Sequence, residues 1–388
     1  MSKSSPLFAS AFWSYAFRPF FLLNGIFAIA VMAIWVAALN VPGRSTLRAI
    51  LPRDILVWHG HEMIFGFAMA AVAGFALTAV ATWTGRKPIA GPTLALLVVA
   101  WVAGRGAMLF AGVLPDAITL AIDMAFPILL LILIGREVIA AGNHRNLPIV
   151  AIVALLATLN LFYHLGPRRV PLYLAVHVIL VLITIIAGRI VPNFTANWMR
   201  ARGHTRLPRA GTPLDLPTVI ATVAYGLAFA AAPGSNVAGV LALAAALAHG
   251  LRLAQWRGLA TTGEPLLFVL HVAYMWFPIG YLLSAAVVFT PTLPLAAMHA
   301  LTMGAIGSMI LAVTTRVALA HTGRKLHAAR LTVGAYFLLT AAVVVRIAGG
   351  VAGSAYLSLI DLAAGGWILT FAIFTWVYWP VLTGPRVD

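Results

Sequence analysis

Residues 58–87 read WHGHEMIFGFAMAAVAGFALTAVATWTGRK, and the fold class follows from how this stretch is built. Between Met63 and Thr84 it carries no Asp, Glu, Lys or Arg. At a rise of about 1.5 Å per residue, a run of that length crosses a hydrocarbon core of roughly 30 Å. It opens on two histidines and a glutamate and closes on Gly85-Arg86-Lys87, a helix-ending glycine followed by cations that favour a membrane surface. Comparable apolar runs recur along the chain. They predict about twelve helices, at 17–40, 55–83, 90–113, 116–140, 147–166, 170–197, 215–232, 236–257, 265–289, 294–320, 329–351 and 355–381. Turn-forming stretches such as NVPGR, GVLPD, HLGPRRVP and AAPGS separate them.

Composition agrees. The 388 residues are 62% hydrophobic and 9% charged, with a mean hydropathy of +1.01, far from a soluble domain. The expected architecture is all-α: a polytopic transmembrane bundle forming a single domain over residues 1–388. The net charge of +16 does not point to nucleic acid, because the cations sort by membrane side. With the N-terminus in the cytoplasm, fifteen of the 25 Lys and Arg fall on that side, among them Arg86, Lys87, Arg200, Arg202, Arg206, Arg209, Arg257, Arg324 and Lys325. The positive-inside rule therefore predicts both termini to be cytoplasmic. There is no cysteine, which excludes disulfides, thiolate ligands, iron–sulfur clusters and covalent haem attachment.

Ionisable groups inside a bilayer are costly and are usually paired or functional. Arg105 and Asp123 lie at matching depths on either side of the turn between the third and fourth helices, and Arg346 and Asp361 are placed similarly between the eleventh and twelfth. Each couple is expected to meet as an ion pair. His59, His61, His164, His177 and His299 all fall in the outer part of their helices. His249, His271 and His321 lie toward the cytoplasm.

An internal repeat is visible at an offset of 238 residues. It carries His61 onto His299, Gly66 onto Gly304, the TGRK of 84–87 onto the TGRK of 322–325, and Asp123 onto Asp361, relating 58–125 to 296–363. Histidines on the second, sixth and tenth helices give a period of four. Three groups of four helices with inward histidines resemble the catalytic subunit of haem-copper oxidases, although the His-His pair those enzymes carry on helix 7 is absent from TVIATVAYGLAF.

The opening motif is not a zinc protease helix. That chemistry needs a second histidine four residues after the first, and Phe65 stands there, three residues after Glu62. His59 and His61 are two apart, about 200° around a regular helix, so they serve different sides. Glu62 lies three residues from His59 and is expected on its face, as an outer acceptor for an imidazole N–H or a proton carrier.

Several stretches carry a family resemblance over nearly the whole length: FRPFF (17–21), WHGHEMIFGFAMAAVAGFALTAVATWTGR (58–86), GRIVPNFTANW (188–198), HVAYMWFPIG (271–280) and HALTMGAIGSMILAVTTRVALAHTGR (299–324). In them the chain resembles the NnrS family. The resemblance implies a bacterial inner-membrane protein with haem b and copper, linked to nitric oxide and nitrosative stress. Nitric oxide is the implied small-molecule ligand, the lipid bilayer the surroundings, and an electron donor of unspecified identity the partner of a nitric oxide reductase-like activity. On this footing His61 and His299 are the expected axial haem ligands, and Glu62 the catalytic proton carrier. His59, His177 and His271 are candidates for copper or a second haem, with His321 and His164 as further ligands. Arg105 and Arg53, with Arg44 and Arg48, are candidates to pair with haem propionates or to act structurally. Helix 9 is open to a break near Pro278. Two rival readings are a haem-based nitric oxide sensor without turnover and a twelve-helix secondary transporter, which would need broken helices around a midplane site.

Overall fold

A computed structural model describes residues 10–41, 45–290 and 292–387; Arg44 lies outside them. Among the described residues the regular structure is helical. Eleven helices are long and apolar enough to span a membrane: α1 Phe17–Asn40, α2 Ile55–Thr84, α3 Gly91–Leu109, α4 Asp116–Ala140, α5 His144–Leu165, α6 Arg169–Arg200, α8 Asn236–Gln255, α9 Pro265–Ala286, α10 Pro294–His321, α11 Arg330–Gly349 and α12 Gly353–Thr383. The twelfth, α7 Asp215–Ala231, is apolar but has 17 residues. The protein is a multi-pass membrane protein, and the twelve expected helices are found within a few residues of their expected ends. A large share of its Leu, Ile, Val and Phe side chains is exposed, including Leu96, Val99, Ile220, Leu247 and Phe337, as lipid-facing positions require.

One expectation is corrected. Pro278 does not break helix 9: it lies inside the continuous α9, as Pro192 lies inside α6. Neighbouring helices and local adjustment satisfy the backbone groups such prolines free.

The chain divides into two compact units. The first comprises the described residues up to Ala175 together with Val317–Arg324 and the segment from Phe374 onward; the second comprises Val176–Arg316 and Lys325–Ile373.

In the first unit α1 packs on α2. The FRPFF stretch supplies the contact: Phe17 N–H donates to Thr78 Oγ1 at 3.0 Å, and the ring of Phe21 with the Cβ of Phe20 occupies the space that Gly74 leaves by lacking a Cβ. Arg18, buried, donates Nη1 to the carbonyls of Leu382 at 3.0 Å and Gly384 at 2.6 Å, which ties the end of α12 to the start of α1.

In the second unit α9 packs on α8 and α10. Gly280 receives Leu301, and Gly304 receives the ring of Trp276. Arg252 of α8 is buried and donates Nε to Asp215 Oδ1 at 2.7 Å and Nη1 to Thr184 O at 2.9 Å and Tyr274 Oη at 3.1 Å. Tyr274 Oη bonds His249 Nδ1 at 2.8 Å, and His249 Nε2 bonds Thr222 Oγ1 at 2.9 Å. This chain of polar contacts joins four helices, and its histidine is wholly enclosed.

Candidate metal centre

Asp54 starts α2 by accepting from the Val57 amide at 3.1 Å, a side-chain cap that fixes the entry of the WHGHEM segment. His61 follows in the second turn. Beyond it the helix widens into a π-helical stretch over Glu62–Ala68. Such a widening leaves carbonyls to be answered from outside the helix. Trp101 Nε1 donates to Gly66 O at 3.1 Å and Asn24 Nδ2 to Phe67 O at 2.6 Å. The helix can be this tight against α1 because residue 66 is glycine: a Cβ there would meet the Phe27 ring at 2.5 Å.

His61, Glu62 and Asp123 are at most 1% exposed. Four helices contribute to their surroundings. Glu62 Oε1 accepts from His61 Nδ1 at 2.8 Å and from Arg105 Nη1 at 2.5 Å. Arg105 Nη2 pairs with Asp123 Oδ1, the ion pair expected from helix depth. Asn160 Nδ2 donates to Asp123 Oδ2 at 2.8 Å, so its Oδ1 is turned toward His61 Nε2, also at 2.8 Å. His164 Nε2 donates to the same Asp123 Oδ2 at 2.9 Å. Tyr163 covers the assembly, its ring 4.3 Å from that of His61.

Each ring nitrogen of His61 thus faces an oxygen acceptor: a carboxylate on Nδ1, an amide carbonyl on Nε2, with Asp123 Oδ2 a further 3.2 Å neighbour of Nε2. This is a position where a cation replaces a proton readily. One ligand atom each from His61, Asp123 and His164 lies within 4.8 Å of the others. Two imidazoles and a carboxylate are a donor set for a divalent transition metal such as copper or zinc. Glu62 on Nδ1 is the outer carboxylate that orients a ligating histidine.

Glu62 serves His61 and Arg105. His59 is half-buried and stacked at 4.3 Å on Trp35. The two histidines do face different sides. Asn160 carried no sequence signal of its own, but it stands four residues before His164, one helical turn, in an otherwise apolar α5; that spacing is the mark that could have found it.

The other expected residues lie elsewhere. Arg53 is exposed in the turn before α2. His321, in the first unit, is exposed with its ring 5.6 Å from that of Phe17. His177, His271 and His299 belong to the second unit. His299 is half-buried and its Nδ1 donates to Leu295 O at 2.8 Å. His271 is buried, with Nε2 bonded to Thr195 Oγ1 at 2.9 Å, and Nδ1 lies in the notch that Gly258 leaves. His177 is buried between the edges of Tyr225 and Phe229 at 5.2 and 5.3 Å, and neither of its ring nitrogens has a hydrogen-bond partner.

The sequence profile described as NnrS protein matches residues 11–386. The chain belongs to the NnrS family. No curated protein matches it. All five stretches that carry the NnrS resemblance have structural roles: FRPFF docks α1, WHGHEM builds the polar centre, Gly188 of GRIVPNF accommodates Arg252, Gly280 of HVAYMWFPIG receives Leu301, and Gly304 receives Trp276.

Proposed function

We propose that this NnrS-family protein is a metal-dependent membrane protein that binds nitric oxide and reduces it, with copper held by His61, Asp123 and His164. One observation carries the reading: three ligand atoms of a copper-compatible donor set converge in a buried, polar spot of the first unit. Family membership supports a nitric-oxide-related membrane protein, and the bacterial inner membrane with cytoplasmic termini is the location the charge pattern favours.

In this reading His61 shares its metal with His164 and Asp123, in place of an axial pairing with His299. Glu62 holds the His61 ring by Nδ1 and is itself held by Arg105, so the ligand cannot rotate away. Asn160 keeps Asp123 turned toward both imidazoles. His177, whose ring nitrogens have no hydrogen-bond partner, would hold haem b in the second unit, with His271 and His299 as further histidines there. Such groups supply redox chemistry to an N–O ligand. The overall reaction couples two nitric oxide molecules through a new N–N bond. It consumes two electrons from an external donor and two protons, and gives nitrous oxide and water. Glu62, beside the ligands and not one of them, is the proton-holding group of the centre.

The test is anaerobic incubation of purified protein with nitric oxide and a reductant, alongside metal analysis and an optical spectrum. Catalytic nitrous oxide, lost together with copper in His164→Ala, is the expected result. A stable nitrosyl spectrum without product would leave binding alone, and full copper content in both His164→Ala and Asp123→Asn would refute the assignment. The transporter reading draws no support from Pro192 and Pro278, since both lie in unbroken helices.

A further inference from the structure

The offset of 238 residues can be followed in backbone conformation. The π-helical stretch of α2 starts at Glu62 and that of α10 starts at Ala300, and 62 + 238 = 300. Each follows a histidine, and each contains a glycine pressed against an aromatic ring, Gly66 on Phe27 and Gly304 on Trp276. The two units repeat one local device and differ in what stands at its first residue. In the first unit it is Glu62, the carboxylate on Arg105 Nη1. In the second it is Ala300, fully buried.

An arginine is nonetheless close to the matching place. Position 105 maps to Val343, and Arg346 stands one turn further along the same face of α11. A Cβ on Gly350 would lie 3.2 Å from that of Ala296. Since α10 and α11 run antiparallel, one turn back from Gly350 on α11 and one turn on from Ala296 on α10 brings Arg346 level with Ala300. Arg346 is 6% exposed, its guanidinium lies 5.9 Å from the ring of Tyr356, and its Nη1 has no hydrogen-bond partner. Asp361, the counterpart of Asp123, is exposed on α12; whatever it contacts, Nη1 is left without an acceptor.

An enclosed guanidinium nitrogen without an acceptor is costly, and the planar fork of arginine is matched best by two coplanar oxygens. We propose that the second unit binds a carboxylate-type anion at Arg346, which supplies from outside the acceptor that Glu62 supplies from within the first unit. The anion is either a free small carboxylate or the carboxylate arm of a larger bound group. The proposal is independent of the metal assignment, which concerns the other unit.

The test uses the full chain in detergent, titrated with acetate against chloride at matched ionic strength. Wild type is expected to gain thermal stability saturably with acetate. Arg346→Met should weaken that response by about tenfold or more. Ala300→Glu, which rebuilds the internal carboxylate, should remove it and start from a higher melting temperature. If a larger group already fills the site, acetate leaves wild type unmoved. Native mass spectrometry then shows an adduct that both variants lack. Should Ala300→Glu fail to accumulate, Arg346→Lys serves beside Arg346→Met: the lysine keeps a weakened response or adduct and the methionine neither. Equal acetate responses in all variants, or no response and no adduct in wild type, would overturn the proposal.

Discussion

Replacing Gly188 with alanine should destabilise the second unit far more than one methyl group suggests. The new Cβ would stand 1.7 Å from Arg252 Nη2 and 2.6 Å from its Cζ. Ordinary contact needs roughly 3.5 Å, so the guanidinium must retreat by about 2 Å. It cannot do so freely: it is 2% exposed and bonded to Asp215, Thr184 O and Tyr274 Oη. A retreat of that size takes contacts at 2.7 to 3.1 Å out of hydrogen-bonding range. Breaking a buried pair in this way costs about 3–5 kcal/mol. Because Asp215 is partly open to solvent, the lower end is expected. The measurement is equilibrium unfolding in mixed detergent, run as a double-mutant cycle with Arg252→Met. With the guanidinium gone, alanine at 188 should add less than about 1 kcal/mol, giving a coupling of at least about 2 kcal/mol. A Gly188→Ala protein within about 0.5 kcal/mol of wild type, or additive losses in the double variant, would refute this account of the glycine.

The centre in the first unit makes three further predictions. Asp123→Asn and His164→Ala should each lower copper affinity by orders of magnitude, whereas Glu62→Gln, which only releases the His61 ring, should cost about 10–100-fold; competitive chelator titration separates the two classes. Copper binding should release the proton that Nε2 of His61 otherwise directs at Asn160, so affinity should fall as pH is lowered, by up to about tenfold per unit for one proton displaced; isothermal titration in buffers of different ionisation heat counts it, and a pH-independent affinity would exclude His61 as a ligand. Trp101→Phe removes the donor to the Gly66 carbonyl in the π-helical stretch and should cost about 1–3 kcal/mol of stability, read by the same unfolding assay.

Helices were legible because membrane crossing is a length-and-hydropathy constraint, and this chain obeys it in nearly every segment. Arg105 and Asp123 were legible as a pair for a related reason: two charges at one depth in neighbouring apolar helices have few other partners. His61, Glu62 and His164 were legible as candidates, but their grouping with Asp123 and Asn160 was not. Asn160 and His164 depend on which face of α5 turns toward α2 and α4, and in an almost uniformly apolar helix no hydrophobic stripe marks a face. The pairing of Glu62 with His61 and Arg105 was not read from spacing, because Arg105 comes from a different helix. The network around His249 and Arg252 was missed because it joins α6, α7, α8 and α9 through single side chains far apart in sequence, and Gly188 becomes meaningful only when a guanidinium is seen against it.

Two consecutive residues, His61 and Glu62, serve one centre where the π-helical stretch begins. Here the widening begins at Glu62 itself, and its carboxylate lies 2.8 Å from the ring of the residue before it. The cost is a set of helix carbonyls that Trp101 and Asn24 must answer, and a glycine at 66 to admit Phe27. At Ala300 the second unit keeps the widened backbone and its glycine without a side chain able to use the geometry. In the first unit the widened stretch carries the Glu62 clamp on His61 and Arg105. In the second it carries none, and the buried Arg346, whose Nη1 has no acceptor, is where an anion would supply one, rather than at the exposed arginines of the loops.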